Sequence, residues 1–193
     1  MDVVSYPEAD TPVPLRSQVL DLQHEAWPPG PGSAPPAQGC THDPALGPVS
    51  MLLVDDGIVV AALDILHKRL LHRGQSFDVG GLSTVVTRRS RRGRGHGGHL
   101  VAAARRAMAD SDLDVGLFTC DRHLQRFYEA AGWQVLPGAV LVGGTPTAPF
   151  PSDRPGFDKV TVGDFFSAHG RAHRSSFEHS RIELYPGDVD RLW

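Results

Sequence analysis

The residues of clearest chemical interest form a turn that is rich in glycine and arginine. Glycines let the backbone turn tightly and let a ligand approach without hindrance from a Cβ atom. Unpaired amides at the start of a helix, together with the helix dipole, attract an anion, and arginine adds forked donors that suit phosphate oxygens. The turn therefore predicts a site for a phosphate-bearing ligand, formed by Arg92, Gly93, Arg94, Gly95, His96, Gly97 and Gly98.

The glycines by themselves leave the ligand open. Gly93, Gly95 and Gly98 match the G-x-G-x-x-G dinucleotide fingerprint, with Asp112 and Asp114 about 20 residues further on. That fingerprint normally follows the first strand of a βαβ unit, whereas this turn follows a predicted antiparallel meander. A nicotinamide-dependent enzyme is therefore one alternative. A Walker A loop is absent, because no Gly-Lys-Ser/Thr follows the turn.

The charge of the chain is unevenly distributed. Its formal net charge is −3, yet five arginines lie between Arg88 and Arg94. Without these five positive charges the net charge is −8. A nucleic-acid-binding module is the alternative that clustered arginines suggest, but the acidic remainder would repel nucleic acid. We therefore expect no nucleic-acid partner and an acidic protein with one cationic site.

The elements that must position this turn follow from apolar spacing, hairpin signals and proline or glycine breaks. The sequence predicts three antiparallel strands before the turn and a helix directly after it. The predicted elements are a helix over Leu15–Trp27, strands over Met51–Val54, Ile58–Leu71 and Phe77–Thr87, a helix over His96–Ala109, a strand over Leu113–Cys120, a helix over Arg122–Ala131, a strand over Trp133–Val142 broken at Pro137-Gly138, and strands over Lys159–Val162 and Arg181–Leu184.

This order of elements indicates an α+β (mixed α/β) fold. The 193 residues suit one domain over 1–193 with a core of its own. No apolar run is long enough to span a bilayer, the N-terminus lacks the positive start of a signal peptide, and only two cysteines are present. We therefore expect a cytoplasmic protein with no membrane partner and no disulfide framework.

Two motifs together resemble the GCN5-related N-acetyltransferases (GNAT family). Arg92-x-x-Gly95-x-Gly97 resembles the pyrophosphate turn of that family, and Phe127-Tyr128-Glu129-Ala130-Ala131-Gly132-Trp133 is similar to its second signature. Both fall within residues 84–133, in the family's order and spacing. The resemblance implies the acyl-CoA N-acyltransferase fold, a mostly antiparallel twisted sheet flanked by helices. It also implies an acetyltransferase that uses acetyl-CoA and releases coenzyme A.

The resemblance also assigns roles at the reacting end of the cofactor. A splayed strand over Leu82–Thr87 would expose backbone amides to the pantetheine arm and the thioester, with contacts at Val85, Val86 and Thr87. Tyr128 falls at the family's tyrosine, which gives a proton to the departing thiolate. The alternative for Tyr128 is an ordinary core aromatic between helix and sheet.

Within the family, the chain most resembles the aminoglycoside 2'-N-acetyltransferases. The likeness lies in the hairpin Lys68–Gly74, the arginine-rich turn, and the tryptophan that ends the chain after Gly187-Asp188-Val189. Where that group has a glutamate close to the reacting amine, this chain has Ser83, which the resemblance makes a candidate catalytic residue. The resemblance implies 2'-N-acetylation of an aminoglycoside, for instance one of the kasugamycin type, and hence antibiotic resistance. An acceptor that is a polyamine, a protein N-terminus or a lysine is the alternative, and a homodimer is compatible with either.

The base and the acceptor-binding residues are the remaining candidates. Asp121 follows a predicted strand and is either the base or a helix N-cap. Cys120 suits a small core residue better than a nucleophile, and the histidines show no zinc spacing, so no metal is expected. We expect the segment 145–193 to contribute to the acceptor site. The acceptor-binding candidates are Asp43, Asp153, Asp188 and Trp193.

Overall fold

The computed structural model describes residues 1–28 and 40–184. A seven-stranded sheet in the order β1-β2-β3-β4-β5-β9-β6 forms the centre, and a three-stranded sheet in the order β10-β7-β8 lies beside it. The strands are β1 Asp2–Pro7, β2 Val49–Asp55, β3 Ile58–His72, β4 Gln75–Thr87, β5 Val115–Asp121, β6 Gln134–Val135, β7 Val140–Thr145, β8 Ala148–Pro151, β9 Lys159–Phe165 and β10 Arg181–Glu183. The α-helices are α1 Val13–Ala26, α2 His96–Ala109, α3 Gln125–Ala130, α4 Ala168–Ala172 and α5 Arg174–Phe177.

The predicted meander is confirmed as β2, β3 and β4, which pair antiparallel in that order. Both hairpins turn through two residues of positive φ, at Asp56-Gly57 and Arg73-Gly74. Such turns match the right-handed twist of the strands they join, and a glycine at the second position accepts the conformation without strain.

Helices cover both faces of the meander. Val19 and Leu22 of α1 pack with Leu52 in one buried cluster. Leu100 and Ala104 of α2 belong to the larger cluster, on the face to which Leu53 points. Because successive side chains of a strand point to opposite faces, neighbouring leucines of β2 meet different helices. None of the described helices has the length and apolar character needed to cross a membrane.

β4 and β5 touch at one point and then separate. They run parallel and pair only at Val79 with Val115 and at Gly80 with Gly116. A Cβ atom at Gly80 would lie 2.8 Å from the side chains of Leu113 and Met108, so that position is tightly packed. Beyond these two pairs the strands splay, and a wedge opens between residues 82–87 and 117–121.

A bulge shapes the β4 side of this wedge. The β3–β4 register shifts between Ala62, which faces Val86, and Asp64, which faces Ser83. The extra residue lies on β4, where Thr84 has φ +49°. A β-branched residue rarely adopts this conformation, so surrounding contacts must hold it in place.

The structure differs from the sequence prediction at several places. β8, α4 and α5 have no counterpart among the predicted elements. β1 lies at the sheet edge with an alternating exposed pattern, a weak apolar signal that the sequence analysis missed. The predicted strand Trp133–Val142 is two strands, β6 in the large sheet and β7 in the small one. Gly138, with φ +63°, lies in the turn that separates them.

Candidate active site

The wedge between β4 and β5 is a cleft of about 830 Å³. Its walls come from the end of β4, the start of α2, the end of β5 and α3, and the end of α1. Glycine, arginine and aromatic residues line it, namely Glu25, Ala26, Trp27, Val85, Val86, Thr87, Arg89, Arg91, Arg92, Gly93, Gly95, His96, Gly97, Gly98, Asp121, Leu124, Phe127 and Tyr128.

The N-terminus of α2 opens into this cleft. No side chain caps the helix, and its first helical hydrogen bond runs from the His99 amide to the Gly95 carbonyl. The amides of His96, Gly97 and Gly98 therefore have no partner within the helix. A Cβ atom at Gly97 would lie 2.7 Å from Thr87 Oγ1, so only glycine lets helix and strand approach this closely.

The arginine cluster divides into different tasks. Arg89, Arg91 and Arg92 line the cleft. Arg88 instead donates to the Val59 carbonyl at 2.9 Å and to Gln18 Oε1 at 3.3 Å, which ties this loop to the sheet and α1. Arg94 is exposed and is not among the lining residues, unlike the other turn residues predicted from sequence.

A second, smaller pocket of about 290 Å³ adjoins the cleft further into the wedge. Five residues line both cavities, so the two cavities are adjacent. The shared residues are Trp27, Val85, Asp121, Leu124 and Tyr128, and the smaller pocket adds Leu82, Ser83, Thr84, Thr119, Cys120, Phe157 and Lys159. The structure thus brings together Tyr128, Ser83 and Asp121, which the sequence analysis selected from separate elements.

Tyr128 lies at the junction of the two cavities. Its ring makes edge contacts with Phe118 at 5.2 Å and Phe127 at 5.0 Å between centroids. Burial, reinforced by the nearby Cys120 and Asp121, raises the pKa of the Tyr128 phenol well above its usual value. The phenol therefore keeps its proton at neutral pH, and Tyr128 lines both cavities.

Asp121 is paired with a lysine that the sequence analysis did not single out for the site. Lys159 Nζ lies 2.6 Å from Asp121 Oδ1, and the two residues face each other across the β5–β9 ladder. Asp121 precedes a short 3-10 helix, but its carboxylate makes no capping bond there. Asp121 thus holds the N-cap position without a side-chain cap, and it lines both the cleft and the smaller pocket.

Comparison with known proteins identifies the family. A model of the acetyltransferase (GNAT) domain matches residues 17–136, which is more than half of the chain. The chain belongs to the GNAT family. It is an acetyl-CoA-dependent N-acetyltransferase, and the fold predicted from the two motifs is confirmed. No curated protein matches this chain.

Solved structures share the GNAT fold at low sequence identity. An acyl-CoA N-acyltransferase from Pseudomonas aeruginosa is 19% identical with a TM-score of 0.58, covering 84% of this chain and 97% of that one. The aminoglycoside 6'-N-acetyltransferase from Enterococcus faecium is 15% identical with a TM-score of 0.59, covering 86% and 98%. An aminoglycoside 6'-N-acetyltransferase complexed with coenzyme A is 14% identical with a TM-score of 0.58, covering 86% and 98%.

The acetyl-CoA that this GNAT enzyme uses suits the larger cleft. The unpaired amides of α2 and three arginines offer donors to phosphate oxygens. Gly93 and Gly95, with φ +74° and +81°, line the cleft without a side chain that would hinder a ligand. The donor set thus fits a pyrophosphate at this end of the cleft, while Val85 and Tyr128 lie where the cleft meets the smaller pocket.

Cys120 lines the smaller pocket, yet its environment does not suit a nucleophile. Burial, together with the negative charge of Asp121, raises the pKa of the Cys120 thiol to about 11. The reactive thiolate is therefore scarce at neutral pH. This supports the prediction that acetyl transfer in this GNAT enzyme proceeds without a cysteine intermediate.

A buried polar network supports the bulge of the GNAT fold from behind. Asp64 on β3 is 1% exposed and accepts a hydrogen bond from Thr84 Oγ1 at 2.6 Å. It also lies beside Ser50 Oγ and His42 Nε2. Because Thr84 lines the smaller pocket, these contacts fix one wall of the site.

The same network contains a cluster of residues of metal-ligand type. Glu8, His42 and Asp64 place their ligand atoms within 4.8 Å of one another. Glu8 is ion-paired with Arg16 at 2.7 Å, and the Asp64 carboxylate already accepts from Thr84. Internal donors therefore occupy these oxygens, and we describe the cluster as a hydrogen-bond network.

Two acidic residues predicted to bind the acceptor lie away from both cavities. Asp43 accepts from the Ala45 amide at 2.9 Å and caps a short 3-10 helix. Asp153 pairs with Arg181 at 3.0 Å on the surface. Neither lines the cleft or the smaller pocket, because local contacts hold both carboxylates elsewhere. The predictions for Asp188 and Trp193 fall outside the described residues.

Proposed function

We propose that this GNAT enzyme acetylates a primary amine of a cationic small molecule, with an aminoglycoside as the acceptor class. One observation carries the proposal: two adjoining cavities share Tyr128, Val85 and Asp121 at the splay of β4 and β5. The larger cavity has the donors for a pyrophosphate, and three aromatic side chains, Trp27, Tyr128 and Phe157, line the smaller one. Acetyl-CoA would occupy the first cavity, and the acceptor amine would enter the second.

In this proposal the protein residues manage two protons. Asp121 accepts a proton from the acceptor ammonium, which leaves a neutral amine to attack the acetyl carbonyl. Tyr128 gives its proton to the sulfur as the carbon–sulfur bond breaks, an effect worth about 10²–10⁴ in rate. Backbone amides near Val85 would stabilise the oxyanion, and one such donor contributes roughly 10²–10³. Bound acetyl-CoA supplies the activated acetyl group.

The walls of the smaller pocket support an acceptor with a flat, partly apolar body. Trp27, 53% exposed, comes from the end of α1, and Phe157 comes from the segment after residue 145. This placement supports a contribution of the segment 145–193 to the acceptor site. Apolar ring faces of this kind bind the hydrophobic face of a sugar as readily as an alkyl amine.

Acceptor identity and amino position are tested by one assay. Release of the coenzyme A thiol is measured with acetyl-CoA and a panel of amines: aminoglycosides with a 2'-amino group, their 2'-hydroxyl analogues, kasugamycin, spermidine and a peptide with a free N-terminus. We expect turnover with the 2'-amino compounds and none with the hydroxyl analogues. Equal turnover of a 2'-amino compound and its 2'-hydroxyl analogue would mean that another amine is acetylated. Turnover of the peptide alone would mean that the acceptor is a protein and not an aminoglycoside.

The proposal includes a role in aminoglycoside resistance and a cytoplasmic location. The named function of two fold neighbours, acetylation of aminoglycosides at the 6' position, supports testing this class first. The cytoplasm supplies acetyl-CoA, which the enzyme consumes. Expression in a susceptible bacterium should raise the inhibitory concentration of the aminoglycoside that gives turnover, and Tyr128→Phe should abolish that protection.

A further inference from the structure

Lysine is scarce in this chain, and one of its two lysines lies in the active site. The sequence has 19 basic residues other than histidine, of which only Lys68 and Lys159 are lysines. Lys159 lines the smaller pocket together with Tyr128, and its side chain is 23% exposed. An enzyme that acetylates primary amines thus keeps one of its own at the site of transfer.

The fold fixes the position of the Lys159 amine. Lys159 and Asp121 are direct partners in the β5–β9 ladder, and the amine lies 2.6 Å from the carboxylate. Its Nζ also lies 4.9 Å from the centre of the Phe157 ring. The amine therefore rests against the carboxylate proposed to accept the proton of an external amine.

We propose that Lys159 is a self-acetylation site, modified by the acetyl-CoA bound to the same chain. The proposal rests on the proposed function, because it requires acetyl delivery to the smaller pocket. Lys159 gives one ammonium proton to Asp121, and its Nζ forms a bond to the acetyl carbon as the carbon–sulfur bond breaks. The sulfur receives a proton from Tyr128, and the second proton that Nζ loses on forming the amide restores the phenol. The products are acetyl-lysine, coenzyme A and one proton released to solvent.

Self-acetylation changes the charge of the pocket. Among the described residues that line it, only Asp121 and Lys159 are charged, so the unmodified pocket is neutral overall. An acetyl amide carries no charge, and Asp121 then becomes an unopposed carboxylate. A cationic acceptor meets this carboxylate without first displacing the Lys159 ammonium, so acetylation prepares the pocket for a cation.

The test follows each amine of the purified full chain by peptide mass spectrometry after addition of acetyl-CoA. Lys68 is the internal control, since burial lowers its pKa and so leaves more neutral amine for uncatalysed acetylation. We expect Lys159 to react at least ten-fold faster than Lys68, with a rate independent of protein concentration. Tyr128→Phe should slow Lys159 acetylation about 10²-fold without slowing Lys68.

Results that would overturn self-acetylation differ from those that would overturn the proposed function. Equal rates at both lysines, or no effect of Tyr128→Phe at Lys159, would mean chemical acetylation from solution. A rate that rises with protein concentration would mean transfer between copies. An unmodified Lys159 in an enzyme that turns over external amines would overturn this inference alone. No binding of acetyl-CoA and no thiol release would instead remove the proposed function.

A second measurement needs no acetyl transfer. Lys159→Gln copies the neutral acetyl-lysine and Lys159→Arg keeps the charge. Calorimetric binding of tobramycin, without acetyl-CoA, should be at least five-fold tighter for the glutamine variant than for the arginine variant. Arg122→Gln is the matched control, because Arg122 pairs with exposed Asp158 at 2.7 Å outside both cavities. Equal tobramycin affinities for the two Lys159 variants would overturn the inference that loss of the Lys159 charge favours a cationic acceptor. An equal gain in affinity in Arg122→Gln would overturn it as well.

Discussion

Replacement of Asp64 by alanine should destabilise the protein severely. Asp64 is 1% exposed, and its carboxylate is the meeting point of the network beneath the bulge. Groups from four other segments reach it: Ser50 on β2, Thr84 on β4, Gln23 on α1, and His42, whose Nε2 lies at 3.2 Å. Alanine removes the acceptor and leaves these buried groups without it.

The expected loss follows from the charge and burial of that acceptor. A hydrogen bond to a charged group contributes about 1.5–3 kcal/mol, but bonds that share one acceptor are not additive. Removing one side of a buried charged network costs about 3–5 kcal/mol, which we expect for Asp64→Ala. Asp64→Asn keeps the shape and one acceptor oxygen, so we expect a loss of about 1–3 kcal/mol.

The pH dependence of stability provides a second signature. Burial alone would raise the pKa of the Asp64 carboxyl, but hydrogen bonds from His42, Ser50 and Thr84 outweigh burial and hold that pKa below 3.8. A carboxyl with a lowered folded pKa stabilises the protein above its unfolded pKa, and this contribution is lost as pH falls through the folded value. Asp64→Asn should therefore lose less stability than the wild type between pH 4 and the acid limit.

Urea unfolding at pH 7 and at a series of acid pH values measures both effects. A double-mutant cycle with Thr84→Val isolates the bond that holds the bulge. A free energy of unfolding for Asp64→Ala within about 1 kcal/mol of the wild-type value would refute this role of the Asp64 network. Identical acid dependence in the wild type and Asp64→Asn would refute the part that concerns the pKa.

Three further predictions concern the site itself. Gly95→Val should abolish coenzyme A binding in calorimetry. The backbone φ of +81° is unfavourable for a β-branched residue, so the turn must adopt another conformation. Retained affinity for coenzyme A would show that this turn does not bind its phosphates. Tyr128→Phe keeps the ring contacts and should lower kcat by about 10²–10⁴, while the acetyl-CoA Kd should stay within about two-fold of the wild type. Tyr6→Phe on β1 is the control and should leave kcat and Kd unchanged. Equal losses in kcat and affinity would mean that Tyr128 is a packing residue. Trp27→Ala should raise the acceptor KM about ten-fold, since an aromatic anchor contributes above 1 kcal/mol to binding. The unfolding midpoint of the variant should equal that of the wild type. An unchanged KM would exclude Trp27 from acceptor binding.

Local signals predicted the meander and the glycine turn that lines the cleft. The alternation and turn residues of β2 to β4, and the glycine turn before α2, are contained within short segments of sequence, so nearby residues decide their conformation. The tyrosine motif placed Tyr128 for the same reason. Arg94 was grouped with its neighbours, yet the turn directs it to solvent, which composition does not reveal.

The smaller pocket, where we propose that the acceptor binds, depends on contacts between distant segments, which is why the sequence analysis missed most of it. Lys159 was identified only as the start of a weak strand, and its pairing with Asp121 follows from the β5–β9 register. Asp43 and Asp153 were selected by charge alone, and each turned out to have a local partner. The support from Asp64 required four segments to converge on a residue within an apolar strand.

The separation of β4 from β5 leaves two backbone edges in the middle of a sheet. An unpaired strand edge normally invites a strand from another molecule, and proteins protect such edges with charge, bulges or covering elements. Here the bulge at Thr84 bends one edge, and Trp27 and Tyr128 stand at the opening of the wedge. The bulge and these two aromatic side chains thus protect the inner edges of the sheet from pairing with a strand of another molecule.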